Sequence, residues 1–199
     1  MGYRPIESYG VIGNLSTVAL VGTDGSIDFL SFPRFDSPTV FAALLDDEKG
    51  GRFRISPLLG EYREKQMYLP DTNVLMTRFL SDAGVAEVID FMPVAGDGQP
   101  HAIVRHVRTI RGDVTFRMVC DPRFDYARAG RRVEQREDHV LFLSEGSDGT
   151  ALRLYSDVPV QLDQGAAVAH FELLAGRGPP FVPVGGKGAD RAVGSDPNA

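Results

Sequence analysis

Carboxylates are the side chains in this sequence whose type best suits acid–base chemistry. A pair of them held on either side of a sugar is the usual machinery for hydrolysing a glycosidic bond. Asp28 and Asp90 lie within strand-like runs, where a structural bond to the backbone or to an arginine is the expected role. The spacing gives no reason to pair any two carboxylates across a sugar. The six candidate carboxylates are Asp24, Asp28, Asp36, Glu87, Asp90 and Asp125.

The histidines and the cysteine do not suggest a metal site. His101 and His106 are five residues apart in a predicted strand, which points them to opposite faces of the sheet. His139 and His170 have no obvious partner in the pattern. Cys120 is the only cysteine and lies on an apolar strand face, where a buried, inert thiol is the expected state and a nucleophile the alternative. We therefore predict no metal ion.

Two glycine-rich segments fail the tests for a nucleotide site. The first, 176–178, is followed by Phe181 where the dinucleotide fingerprint requires glycine. The second, 185–188, contains Lys187, but neither serine nor threonine follows that lysine as a phosphate loop requires. We therefore predict no cofactor.

A Pro-Arg-Phe-Asp tetrapeptide occurs twice, at 33–36 and at 122–125. The simplest interpretation is a pair of similar corners at strand exits, in which arginine and aspartate hold each other or backbone groups. Direct contact with a ligand is the alternative. The candidate site residues in these two loops are Arg34, Phe35, Asp36, Arg123 and Asp125.

The elements that position these residues are predicted to be short β-strands. Phe116 and Met118 alternate with Thr115 and Arg117, so one face is expected to be buried and the other wet. Asp24-Gly25 is a strong hairpin signal, because both residue types tolerate positive φ. The predicted strands are 16–22, 26–32, 52–56, 61–68, 73–80, 85–92, 102–110, 114–120, 133–137, 139–144, 151–156 and 167–174.

One helix is predicted in the middle of the first third of the chain. Ser37 suits its N-cap, Pro38 its first turn, and Gly50 its end, with an apolar stripe over 40–45. No βαβ alternation follows, so a parallel nucleotide-binding sheet is not expected. The predicted fold is mainly β, an antiparallel two-sheet β-sandwich of the supersandwich type with one short helix.

Composition sets the domain boundary and excludes some partners. Residues 1–175 are predicted to form the β-sandwich domain, and 176–199, with six glycines and four prolines, a disordered tail or the end of a truncated domain. The formal charge of −6 argues against nucleic acid as a partner. No apolar run is long enough for a membrane helix, and no secretory signal is evident. With a single cysteine, these features predict a cytoplasmic protein.

Three segments carry a resemblance to a known family. They are Tyr9-Gly-Val-Ile-Gly-Asn-Leu-Ser-Thr-Val-Ala-Leu-Val, Asp24-Gly-Ser-Ile-Asp-Phe-Leu and Pro33-Arg-Phe-Asp-Ser-Pro-Thr-Val-Phe-Ala-Ala-Leu-Leu-Asp. They resemble the start of bacterial glycoside hydrolases of family 15, the trehalase and glucoamylase-like enzymes. The resemblance runs from about Tyr9 to Leu174. Phe29 stands where the family commonly has tryptophan, and the residues after Leu174 match nothing in the family pattern.

The resemblance implies an accessory role for this chain. In the family a β-sandwich precedes a helical (α/α)₆ barrel, and glutamates of that barrel act as general acid and base. No position here corresponds to them, so no catalytic residue is carried over. The implied function is that of an N-terminal domain packing against the catalytic barrel of an enzyme for α-glucosides, trehalose or maltooligosaccharides. The loop 33–38 is the candidate barrel-facing or sugar-facing surface; the alternative is that it merely ends a strand and begins a helix.

Two other functions remain open at this point. An autonomous carbohydrate-binding module would need exposed aromatic residues on one face, and Tyr62 and Tyr68 on one predicted strand are the only hint. A truncated remnant without activity is the other alternative.

Overall fold

Alternating apolar residues fold the chain into antiparallel strands that form two sheets. The computed structural model describes residues 3–94, 96, 100–176 and 181–186. The first sheet has the order β1-β2-β3-β5-β10-β15-β14, with β4 paired to β3, and the second has the order β11-β12-β13-β16-β9-β8-β7-β6. The strands are β1 (Tyr9–Gly13), β2 (Val18–Gly22), β3 (Ser26–Ser31), β4 (Thr39–Phe41), β5 (Arg52–Pro57), β6 (Arg63–Tyr68), β7 (Leu75–Leu80), β8 (Val85–Phe91), β9 (Ala102–Arg111), β10 (Asp113–Asp121), β11 (Arg131–Gln135), β12 (His139–Ser144), β13 (Ala151–Tyr155), β14 (Gln161–Asp163), β15 (Ala166–Leu174) and β16 (Phe181–Gly186).

The core lies between the two sheets and is built from the faces that alternation predicted. On β10, Phe116, Met118 and Cys120 are fully buried. Phe116 is directly opposite Phe171 on β15, and the two rings stack with their centroids 5.5 Å apart. These contacts confirm the mainly β, two-sheet antiparallel fold, because period-2 burial on neighbouring strands is what a sandwich requires.

The predicted hairpin at 24–25 is also present. Gly25 has a φ of +78°, and a Cβ there would lie 2.1 Å from the Ile55 carbonyl oxygen, so both backbone angle and space require glycine. Asp24 completes the turn, since its Oδ1 accepts from the Ser26 amide at 3.1 Å. The turn leads directly from β2 into β3.

The predicted helix between Ser37 and Gly50 is wrong. Val40 and Phe41 belong to β4, a short strand paired with β3, and both side chains are buried in the core. The segment after β4 turns back, with the Ala42 amide donating to the Gly50 carbonyl at 2.8 Å. Pairing with β3 satisfied the backbone of this apolar run and buried it, so the local helical pattern was overridden by tertiary contacts.

Helical geometry appears elsewhere in short pieces. A 3₁₀ turn spans Ile6–Ser8, and α1 spans Phe124–Ala127. Asp125, Tyr126 and Ala127 have φ values of 51°, 56° and 62°, so α1 is a left-handed turn rather than a regular helix. Residues with a Cβ rarely adopt this left-handed conformation. The sequence pattern of a regular, right-handed helix therefore does not occur at α1.

Part of the predicted tail is a strand. Residues Phe181–Gly186 form β16, which lies between β13 and β9 in the second sheet, and Val182 and Val184 are buried. The sequence did not predict this strand because it contains Pro183, and proline is normally confined to sheet edges. The rest of the predicted tail, 177–180 and 187–199, lies outside the described residues. Within the described part of the chain, no helix is long and apolar enough to cross a membrane.

Candidate functional site

The two Pro-Arg-Phe-Asp loops lie at the same end of the first sheet. Strands β3 and β10 both pair antiparallel with β5, so both end at the edge where β5 begins. The Arg123 amide donates to the Val40 carbonyl at 2.9 Å, and the Tyr126 amide donates to the Thr39 hydroxyl at 3.0 Å. The fold therefore places the second loop against β4, the strand that directly follows the first loop.

The first loop forms the predicted ion pair. Arg34 donates to Asp36 through Nε at 3.0 Å and through Nη2 at 2.7 Å, and both side chains are exposed. The guanidinium lowers the pKa of the Asp36 carboxyl through these hydrogen bonds. Phe35, between them, is 59% exposed, while its amide donates to the Ser16 carbonyl at 2.9 Å. The loop presents an aromatic ring beside a self-neutralised ion pair.

In the second loop, arginine and aspartate do not hold each other, the first of the two arrangements predicted for these corners. Arg123 pairs with Asp121 at 3.2 Å, and Asp125 pairs instead with Arg128 at 2.6 Å. Phe124 is only 1% exposed and belongs to the core. The same four residues thus give an exposed ring in one corner and a buried ring in the other, and only the buried ring is followed by residues with positive φ, Asp125 to Ala127.

Sequence reasoning missed two exposed apolar residues at the same end of the sandwich. Leu15, in the turn between β1 and β2, is 87% exposed, and Tyr126 is 45% exposed. The sequence feature that could have indicated the exposure of Leu15 is its position in a turn between two polar residues, Asn14 and Ser16. We call Leu15, Phe35 and Tyr126 the corner surface.

Most of the candidate carboxylates are neutralised by arginine. The buried pairs lie at distances between 2.5 and 3.3 Å, and the exposed ones at 2.6 and 2.7 Å. This leaves no two of the six as a free acid–base pair. The pairs are Asp24 with Arg4 and Arg54, Glu87 with Arg78 and Arg108, Asp90 with Arg105, Asp36 with Arg34, and Asp125 with Arg128.

Asp28 is different, because it lines a groove on the outer face of the first sheet. The groove has a volume of about 420 Å³ and is lined by residues from the segment 3–9, from β3 and β5, from the segment 43–47, and by Glu64 of β6. Asp28 is 4% exposed, and its Oδ2 accepts from the Tyr9 hydroxyl at 2.9 Å. Within the described residues no hydrogen bond reaches Oδ1, and the Arg52 Nε is 3.6 Å away, too far for one.

Burial beside this carboxylate keeps the Tyr9 phenol neutral up to a higher pH than usual. Desolvation, followed by the charge of Asp28, raises the pKa of the Tyr9 phenol from 10.0 to about 12. The phenol is therefore neutral at ordinary pH and acts as a hydrogen-bond donor. Asp28 therefore has an arginine nearby, Arg52 at 3.6 Å, as expected, and accepts a hydrogen bond from a tyrosine on a different strand, which was not expected.

His101, His139 and Cys120 have structural surroundings. His101 shares a 3.0 Å hydrogen bond with the Asn14 side chain and meets the Phe32 ring edge-on. His139 lies 2.6 Å from the Asp138 carboxylate. Cys120 is fully buried, and burial raises the pKa of its thiol. These positions fit packing and ion-pair roles.

The family model for trehalase-like N-terminal domains matches residues 2–170. The chain belongs to this family. Curated relatives of this trehalase-like N-terminal domain align with most of the chain but with only part of their own length. Trehalase 1 of Sulfolobus acidocaldarius is 42% identical over 159 residues, which is 80% of this chain and 26% of the relative.

Two mycobacterial relatives give the same picture. The trehalase of Mycolicibacterium smegmatis is 32% identical over 150 residues, 66% of this chain and 22% of the relative. The trehalase of Mycobacterium tuberculosis is 31% identical over 150 residues, again 66% of this chain and 22% of the relative. The chain spans about a quarter of the length of these relatives. The predicted resemblance to a trehalase N-terminal domain is confirmed.

Proposed function

We propose that this trehalase-like N-terminal domain is a non-catalytic accessory domain of a family 15, glucoamylase-like glycoside hydrolase that acts on α-glucosides. In this proposal it packs against a catalytic (α/α)₆ barrel. The observation that carries the proposal is how much of each chain is aligned. The alignments with proteins named trehalases cover up to 80% of this chain but only 22–26% of those proteins. The larger part of such an enzyme has room for the catalytic machinery.

The carboxylates support a non-catalytic role. An inverting glycosidase needs two carboxyl groups roughly 6.5–9.5 Å apart around a sugar, one of them free to hold a proton. Here five of the six candidates are bound to arginine, which favours their charged, proton-free form. Asp28 alone lacks a short arginine contact. We therefore assign hydrolysis to the remainder of the enzyme.

We further propose that the corner surface faces the catalytic domain. Three exposed apolar side chains, Leu15, Phe35 and Tyr126, lie at this end of the sandwich, and exposed apolar patches mark interaction sites. The neighbouring charges are already paired, as in Arg34 with Asp36. A paired ion loses less hydration free energy on burial than a lone charge does, so this surface suits a protein interface.

The carbohydrate-binding alternative gains nothing from the two tyrosines that suggested it. Tyr62 packs edge-on against the core residue Phe79, with ring centroids 5.5 Å apart. The Tyr68 hydroxyl is bound to the backbone of Val11 at 2.9 Å. A different feature, the groove at Asp28, favours sugar binding.

The inactive-remnant alternative remains a prediction. A cytoplasmic location also remains a prediction, and the buried free thiol of Cys120 supports it.

The proposal is tested by joining this domain to a catalytic part. The segment of Trehalase 1 from Sulfolobus acidocaldarius that matches this chain is deleted, and this chain is fused in its place. We expect no trehalose or maltose hydrolysis by the chain alone, weak or unstable activity from the truncated relative, and restored activity from the fusion. Turnover by the chain alone would sink the accessory role, and a fusion no better than the truncated enzyme would sink the packing role.

A further inference from the structure

We propose that the groove on the outer face of the first sheet, with Asp28 at its base, binds a neutral mono- or disaccharide. Its volume of about 420 Å³ is in the range of small-molecule sites. The groove lies on a sheet face, whereas the corner surface lies at the end of the sheet. It is therefore a separate site from the proposed contact with a catalytic domain.

One acceptor in the lining of the groove, Asp28 Oδ1, is 3.6 Å from the Arg52 Nε as an ion pair but receives no hydrogen bond within the described residues. Asp28 is 4% exposed, its Oδ2 is occupied by the Tyr9 hydroxyl, and no hydrogen bond reaches its Oδ1 within the described residues. A buried carboxylate oxygen that accepts no hydrogen bond is unfavourable. A ligand hydroxyl that donates to Oδ1 would make a charge-assisted bond, which is stronger than a neutral one.

The rest of the lining suits a ligand that both donates and accepts. Arg4 and Arg52 supply donors, and Asp47 and Glu64 supply further acceptors. A sugar presents hydroxyls that serve both partners. It also presents an apolar ring face, and Tyr3, which is 64% exposed, lines the groove with an aromatic ring against which that face can pack.

Charge argues against ionic ligands. The three carboxylates of the lining outnumber its two arginines, which disfavours an anion. Each arginine already binds a protein oxygen, Arg4 that of Asp24 at 2.5 Å and Arg52 the Asp47 carbonyl at 3.1 Å, and only the other N–H groups of each are left to donate to a ligand. The same two guanidinium groups disfavour a cation. A neutral polyhydroxylated ligand meets neither penalty.

Sugar binding does not depend on the proposed accessory role. Only the choice of trehalose as the first probe rests on that proposal. A titration of the isolated chain reports on the groove whether or not the domain docks, and the fusion experiment reports on docking whether or not the groove binds sugar. The two proposals can therefore fail separately.

The test is a nuclear magnetic resonance titration of the ¹⁵N-labelled 199-residue chain with trehalose, maltose and glucose. We expect saturable shifts of the amides of Tyr9, Asp28 and Arg52. The change Asp28→Asn keeps the size of the side chain but removes its charge, and we expect roughly tenfold weaker binding from the loss of a charge-assisted bond.

A second variant keeps the test decisive if Asp28→Asn does not fold. Tyr3→Ala removes an exposed side chain of the lining and should weaken binding severalfold, while Tyr126→Ala removes an exposed tyrosine of the corner surface and should leave it unchanged. The proposal is overturned if no sugar shifts the groove amides, if shifts map to the corner surface, or if Tyr3→Ala binds as the wild type does. The chain is also titrated with tetramethylammonium. If this cation shifts the same amides more strongly than the sugars do, the groove binds cations and the proposal of a sugar site is overturned.

Discussion

Arg105 on β9 and Asp90 on β8 form an ion pair in which both side chains are wholly buried, with Nε 2.8 Å from Oδ1. The same guanidinium reaches across to the first sheet. Its Nη1 donates to the Phe53 carbonyl at 2.6 Å and its Nη2 to the Gly25 carbonyl at 2.7 Å. One side chain therefore binds the two sheets together at the β2–β3 hairpin.

Breaking this pair should strongly destabilise the domain. Asp90→Asn preserves shape but leaves the Arg105 charge buried without its counterion, and the loss of one partner of a buried pair costs about 3–5 kcal/mol. Urea denaturation monitored by circular dichroism measures the free energy of unfolding. Asp36→Asn is the matched control, since its pair with Arg34 is exposed and should show no measurable loss. Equal stability of Asp90→Asn and wild type would show that the pair does not support the fold.

The two phenylalanines of the repeated tetrapeptide should differ sharply in their effect on stability. Phe124 is 1% exposed and Phe35 is 59% exposed. Phe124→Ala leaves a cavity in the core, for which a loss of about 3–5 kcal/mol is typical. Phe35→Ala should change the free energy of unfolding by less than about 0.5 kcal/mol, as surface substitutions do. Similar losses for both variants would contradict the asymmetry of the two corners.

In the fusion with the catalytic part, the corner surface should decide assembly. Phe35→Ser should weaken the contact by about 1–2 kcal/mol, the range for a moderately important interface residue. The readout is the rate at which trehalose hydrolysis is lost on heating. Leu58→Ser is the control, because Leu58 is 54% exposed but follows β5 at the opposite end of the sandwich. If the two variants lose activity at the same rate, the corner surface is not the interface.

Alkaline pH should destabilise the domain through Tyr9. Its pKa in the folded state, about 12, lies above the ordinary value of 10.0, so folding favours the neutral phenol. The contribution is complete below pH 10 and is lost as pH rises toward 12. Phenolate absorbance of the native chain should show a late-titrating tyrosine that disappears in Tyr9→Phe. An unchanged titration curve in that variant would exclude Tyr9 as its source.

Cys120 should be inert in the native domain. It is fully buried, and burial raises the pKa of its thiol, so little thiolate is present and reagents cannot reach it. We expect alkylation only after denaturant unfolds the chain. The rate is followed by mass spectrometry in native buffer and in urea. Rapid native labelling would mean that β10 is accessible from solution.

The sequence by itself determined the strands and the faces they bury. Period-2 alternation is a local property, so runs such as Phe116, Met118 and Cys120 indicate their buried face without knowledge of their neighbours. The Asp24-Gly25 turn was equally readable, because the φ that it needs is also a local property. The family resemblance rested on the same local segments.

Only the tertiary structure decided what the local signals left ambiguous. The run around Val40 has a helical apolar pattern, but pairing with β3 made it a strand, and pairing with β9 and β13 did the same for the segment around Pro183. The groove depended on the fold even more. Tyr9 and Asp28 are 19 residues apart and lie on different strands, so no spacing in the sequence relates them. Long-range pairing brings such residues together, and local patterns carry no record of it.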